Sequence, residues 1–451
     1  MQNQKAIDSD IEIASQPGYK DLFKYFLPLA MQAISQSFTY PLVAIVAVRG
    51  KEGPLNIAAM AQANLLLFFL LSSCAGLITA GMVYSVNRAG LIRFRSLNRY
   101  FTLGIFLVHA LFCLPFFAQI ILSSIMGLSG DLYESTYFAF LLSLPLSLIF
   151  NFRNTAMVVL FNKKLTGLAF SATVLRIIFT IILSIAMTFL GYTGIFWATV
   201  CQIIPLLLEA ELINRLARPH ILELMKKEGP SHSIFEMISL TMSFSIGRMM
   251  MAFSGYVVAG FAARAPEPDI MLPAYYAALG LMNPMAFAAS RIQAMVISFA
   301  VPGIKNFRLF NFSVLAGVIC GITPLLFTLP FISEWYYGTL QKIPPENLAL
   351  VRYSAFILVL TPFTSALRSY VEGWAARGRK PVALMAGQGV YLGFVVSAAF
   401  FAFNLGVQGN AIGPFAIFIG NICAALVLSI ALKMKDSKET EEVQNTFINP
   451  A

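Results

Sequence analysis

The chain has 451 residues, 58% of them hydrophobic and only 12% charged, with a mean hydropathy of +0.76. That composition excludes a soluble globular domain, and the succession of apolar runs of about 20 residues excludes a β-barrel, whose strands alternate at every second position. The formal charge of +10 raises a nucleic-acid partner as a possibility, and the placement of the charges decides the matter.

The chain opens on a polar tail, 1–23, with no cleavable leader ahead of the first apolar run. Hydropathy then predicts twelve transmembrane helices at 24–48, 57–84, 101–127, 136–160, 168–190, 195–214, 235–262, 273–302, 311–333, 353–375, 382–404 and 411–432. Several are longer than a bilayer requires, so tilt or kinks are expected. Pro41, Pro145, Pro284 and Pro362 are placed to kink them, while Pro28 sits in a first turn, where proline is tolerated. The segment 215–234 reads as a cytoplasmic linker and 433–451 as a cytoplasmic tail.

Polar residues inside the spans are few, and each needs a reason. In the first span Gln32, Gln36 and Tyr40 recur every fourth residue and share a stripe. The stripe suits substrate lining and interhelical hydrogen bonding equally. His109 reads as a packed polar residue. Arg153, in the fourth span, serves an inner vestibule or snorkels, and Arg176 in the fifth is shallow enough to snorkel. Glu209 and Glu211 fall at the inner end of the predicted sixth span. Arg248 lies about 13 residues into the seventh, roughly 20 Å deep, and Arg291 is similarly deep in the eighth, below Asn283. Neither can snorkel easily, so each needs an anion, an acid or a water-filled cavity, and acids are scarce at that depth. Arg368 and Glu372 in the tenth span are spaced for an i,i+4 ion pair; a coupling role for Glu372 is the alternative.

Of the 31 basic residues, 21 fall in the segments that are cytoplasmic if the N-terminus is inside, five in the opposite loops, and five within spans. That bias places both termini in the cytoplasm and accounts for the positive charge without nucleic acid. The five cysteines all lie in apolar segments without metal-ligand spacing, and no phosphate-binding loop, metal motif or nucleophile triad is present. No cofactor, no metal and no enzymatic activity are therefore expected.

The chain also repeats itself at an offset of about 215. "FRSLNRYFTLGIF" at 94–106 aligns with "FRLFNFSVLAGVI" at 307–319, "LPFF" at 114–117 with "LPFI" at 329–332, and "LGYTG" at 190–194 with "LGVQG" at 405–409. Arg153 aligns with Arg368, Gln32 with Arg248, and Tyr40 with Tyr256. The reading is an all-α polytopic membrane protein of two six-helix lobes, 24–214 and 235–432, both starting inside and related by an axis along the membrane normal. Such lobes bind substrate in the cleft between them, which would be lined by Arg248, Arg291, Gln32, Gln36, Tyr40, Tyr256 and Asn283.

The opening "YFLPLAMQAISQSF", the basic turn after span 4 and its partner "LRSYVEGWAARGRKP" after span 10 resemble the multidrug/oligosaccharidyl-lipid/polysaccharide (MOP) exporter superfamily, with MATE-like architecture. Within it, "GRMMMAFSGYVVAGFAAR" at 247–264 and "NPMAFAASRIQAM" at 283–295 are most similar to the progressive ankylosis transporter family. That resemblance implies a monomeric secondary transporter of the cell membrane, the inner membrane if bacterial, moving small polyanions. The expected function is export of a negatively charged or phosphate-bearing solute by alternating access. A proton- or sodium-coupled multidrug exporter is the alternative, and a flippase for an anionic lipid-linked glycan a further one. The first span carries no carboxylate, which weighs against a coupling mechanism built on acids.

Overall fold

A computed structural model describes residues 16–262, 264–301, 306–340 and 343–448, with the side chains at 36–38, 40–41, 54, 268–269, 272–273, 340 and 433–448 outside that description. Every regular element among the described residues is helical, as an apolar solvent requires when each backbone group must find its partner within its own segment. Among the described residues nine helical runs are long and apolar enough to cross a membrane. A tenth, Arg88–Phe112 with Pro115–Ile125, is bent by 79° at its break. Tyr19–Val48 covers the first predicted span, and Pro268–Ser290 with Ile292–Phe299 covers the eighth.

Local chemistry explains the main departures from the expected boundaries. The third span is not one rod, because Pro115 forces Leu114 into extended backbone and ends the helix. A four-residue helical turn and a π-helical segment, Gln119–Ile125, follow. Pro330 does the same to Leu329, ahead of the π-helix Glu334–Leu340. Helix breaks do precede Pro145 and Pro362, whereas the helices carrying Pro41 and Pro284 run on through them. The sixth span does not stop at 214: Ile195–Leu224 is one helix that continues through Pro205 and Pro219. The non-helical connection shrinks to 225–233, and Glu209 moves from a helix end to a helix middle.

The repeat extends to backbone detail. Helix Thr166–Phe189 recurs as Pro381–Asn404, and the left-handed residues Lys164 and Gly191 recur as Arg379 and Gly406, each 215 positions on.

By packing, the chain forms two compact units. One is Leu27–Met249; the other combines Met1–Phe26 with Met250–Ala451. The helices Tyr19–Val48 and Ile234–Ala262 therefore each contribute residues to both. In the first unit Val43, Val46, Phe140, Ile195 and Cys201 pack together as a core. Gly76 lies against the backbone of Thr241, and its amide donates to Ser245 Oγ at 3.2 Å. In the second unit Val258, Tyr275, Tyr391, Val395 and Ile412 form the corresponding core.

Candidate functional site

Helix Thr166–Phe189 buries a stripe of Thr166, Ala169, Ala172, Thr173, Arg176, Thr180 and Ser184, repeating every three or four residues. Small residues let a neighbouring helix approach closely, and the charge among them must be answered inside the unit. Glu209 answers it from the middle of Ile195–Leu224, at 1% exposure. Its Oε2 takes a hydrogen bond of 2.6 Å from Arg153 Nη1 and lies 3.5 Å from Arg176 Nε. Its Oε1 accepts from the Thr173 hydroxyl at 2.5 Å, shorter than that hydroxyl's 3.3 Å alternative at Ala169 O. Thr173 in turn accepts from Gln32 Nε2 at 3.0 Å. Two guanidiniums thus share one carboxylate, and a polarised chain runs from Gln32 through Thr173 to Glu209.

The second unit carries a counterpart 215 positions on. Arg368 takes the place of Arg153 and Gln388 that of Thr173. Arg368 Nε lies 3.3 Å from Glu372 Oε1 as an ion pair without an aligned hydrogen bond, and its guanidinium stacks 4.9 Å over Tyr391. Gln388 Nε2 donates to the same Glu372 oxygen at 2.5 Å. Here charge is balanced one to one. Each unit therefore holds a buried carboxylate gripped by the fourth- or tenth-span arginine and by a polar side chain of the following span.

The structure places the other residues singled out from the sequence on several helices. Arg153 and Arg176 are both buried and ion-paired to Glu209. Gln32 is 1% exposed and donates to Thr173, an interhelical hydrogen bond of the kind its stripe allowed. Gln36 and Tyr40 lie on the same helix, with side chains outside the described set. Arg248 is half-buried in the middle of Ile234–Ala262, in the first unit. Arg291, half-buried at the one-residue interruption between Pro268–Ser290 and Ile292–Phe299, belongs to the second, as do the exposed Asn283 and Tyr256. Tyr256 borders a shallow hollow with Phe253, Val257, Gly260, Phe261 and Arg264. His109 is packed against Phe140, 4.3 Å between ring centroids.

Glu209, Thr173 and Gln388 were missed as site residues. Two signals pointed to them: the inward stripe of the fifth span, and the 215 offset, which carries Arg153 to Arg368 and Thr173 to Gln388. Among the described residues no group of three or more His, Cys, Asp or Glu side chains is set to hold a metal.

The arrangement of helices settles the architecture by comparison with solved structures. A MATE transporter in a bent conformation matches over 94% of this chain and 96% of its own, with a TM-score of 0.72 and 18% identity. The chain has the MATE fold. A eukaryotic MATE transporter matches over 92% and 95%, with a TM-score of 0.67 and 19% identity. A MOP superfamily transporter from Pyrococcus furiosus, described as having a binding pocket of reversed polarity that suggests a different function, matches over 94% and 99%, with a TM-score of 0.67 and 17% identity. No family model and no curated protein matches the sequence. At these identities the likeness fixes the fold, and the solute must be argued from the residues.

Proposed function

We propose that the protein is a secondary active transporter, not an enzyme, that exports a negatively charged or phosphate-bearing solute by alternating access. The observation that carries this reading is a pair of buried guanidiniums in the MATE-like frame: Arg153 and Arg176 both reach the carboxylate of Glu209. Guanidinium forks bind carboxylate or phosphate through paired hydrogen bonds. Arg248 and Arg291 add two more guanidiniums along the spans, and the likeness to the progressive ankylosis family supplies the solute class, small polyanions. That a protein of this fold from Pyrococcus furiosus is described with reversed pocket polarity supports the idea that the frame accommodates a change of solute charge.

A second reading, export of organic cations coupled to protons or sodium, is favoured by Glu209 and Glu372 themselves. Each lobe does hold a buried carboxylate, against the expectation from the first span alone.

Flux distinguishes the two. In inside-out vesicles, uptake of labelled pyrophosphate or citrate falls at least roughly tenfold in Arg248→Ala, as the loss of a charge-assisted hydrogen bond of about 1.5–3 kcal/mol predicts. Arg248→Lys, which keeps the charge and loses the fork, retains part of the flux. Anion uptake unchanged in Arg248→Ala while an organic cation's uptake is lost would favour the second reading.

A further inference from the structure

We propose that the crevice between Arg88–Phe112, the paired helices Leu144–Phe152 and Asn154–Asn162, and Ile195–Leu224 binds the headgroup of an anionic phospholipid from the surrounding bilayer. The crevice encloses about 600 Å³ and lies wholly within the first unit. Arg95, Asn98, Arg99, Thr102 and Leu103 follow one another down one stripe of Arg88–Phe112 and form one wall. Leu207, Asn214 and Ile221, seven residues apart, form the facing wall.

Its chemistry is graded along its length. Arg95 and Arg99 stand at the polar end of their helix, where the apolar span begins, and among the described residues neither enters an ion pair. No carboxylate lines the crevice. Thr102, Thr155 and Asn214 add hydroxyl and amide groups to the lining. Beyond them the walls turn apolar and open outward: Phe152, Leu103 and Leu207 are each at least half exposed, so this end faces acyl chains. Two adjacent guanidiniums at the membrane interface above an apolar, laterally open trough match a phosphodiester with its chains below it. A free phosphate would have no use for the trough.

The internal repeat supplies an independent argument. Arg95 has a counterpart in Arg308, but the position that corresponds to Arg99 is the buried Phe312. The repeated architecture thus has no need of the second guanidinium, and its presence in one half alone calls for a ligand particular to that half.

The test uses the full-length purified protein, with native mass spectrometry counting lipid retained from mixed phosphatidylglycerol and phosphatidylcholine micelles. The wild type is expected to retain phosphatidylglycerol preferentially. The double variant Arg95→Gln, Arg99→Gln should lose that preference by roughly tenfold or more, and Arg99→Gln alone, at an exposed side chain that folding does not need, should lose part of it. The charge-matched control Lys226→Gln, Lys227→Gln removes two positive charges elsewhere and should behave as wild type. Retention unchanged in both arginine variants, or equal loss in the lysine control, overturns the proposal. So does inorganic phosphate displacing the lipid at submillimolar concentration, which would make the site one for a free anion.

Discussion

Replacing Glu209 by glutamine is the sharpest test of the buried network. The change is isosteric and leaves an acceptor for the Thr173 hydroxyl, so what it removes is charge. In the wild type one carboxylate serves Arg153 at 2.6 Å and Arg176 at 3.5 Å, and all three side chains are buried. Without it, two guanidiniums face each other across a neutral amide in a low-dielectric interior. Removing one partner of a buried ion pair costs about 3–5 kcal/mol, and here both cations lose the same partner. For a unit of some 200 residues, about 2–4 °C of melting temperature accompanies each kcal/mol, so Glu209→Gln should melt roughly 6–20 °C below wild type. Arg176→Met provides the contrast. It keeps bulk and leaves Arg153 and Glu209 balanced one to one, so its cost should stay within about 1.5 kcal/mol. Both variants are melted in detergent, following the monodisperse peak by fluorescence-detected size exclusion. If Glu209→Gln melts with the wild type, or Arg176→Met falls as far as Glu209→Gln, the argument from shared charge is wrong.

Two further outcomes follow from packing and from charge placement. A Cβ at Gly76 would lie 2.1 Å from the Thr241 carbonyl oxygen, a backbone atom that cannot swing aside, so Gly76→Ala should destabilise by about 1–3 kcal/mol and broaden the size-exclusion peak; an unchanged peak and melt would show that the two helices separate freely. Cysteines introduced at Ser129 and Glu228, both exposed and on opposite sides of the predicted membrane, should differ in intact cells, with an impermeant maleimide reaching only Ser129→Cys; modification of Glu228→Cys alone would invert the proposed orientation.

Much of the architecture was legible without coordinates, because a bilayer imposes its rules on the sequence directly. Twenty-residue apolar runs had to be helices, and the recurrence of "LPFF" as "LPFI" marked the repeat, although the proline break and π-helical segment that both carry appeared only in the structure. The four-residue spacing of Arg368 and Glu372 lies on one helix, so their ion pair was a local matter that spacing could anticipate.

What the sequence could not decide was where a helix ends when charge and proline argue for a stop, and which way a polar side chain turns. Polar composition after residue 214 marked a linker, but Ile195–Leu224 continues as one helix past Pro219 and leaves Glu209 in the middle of the rod. Gln32 belongs to a stripe that could face a cleft or a neighbour, and only the packing of the fifth span against it turned the amide toward Thr173. Arg153, Arg176 and Glu209 are separated by 23 and 33 positions, so no periodicity joins them. Their partnership exists because three helices bring them together in an interior where a lone charge costs several kcal/mol, and tertiary packing alone chooses which charges meet.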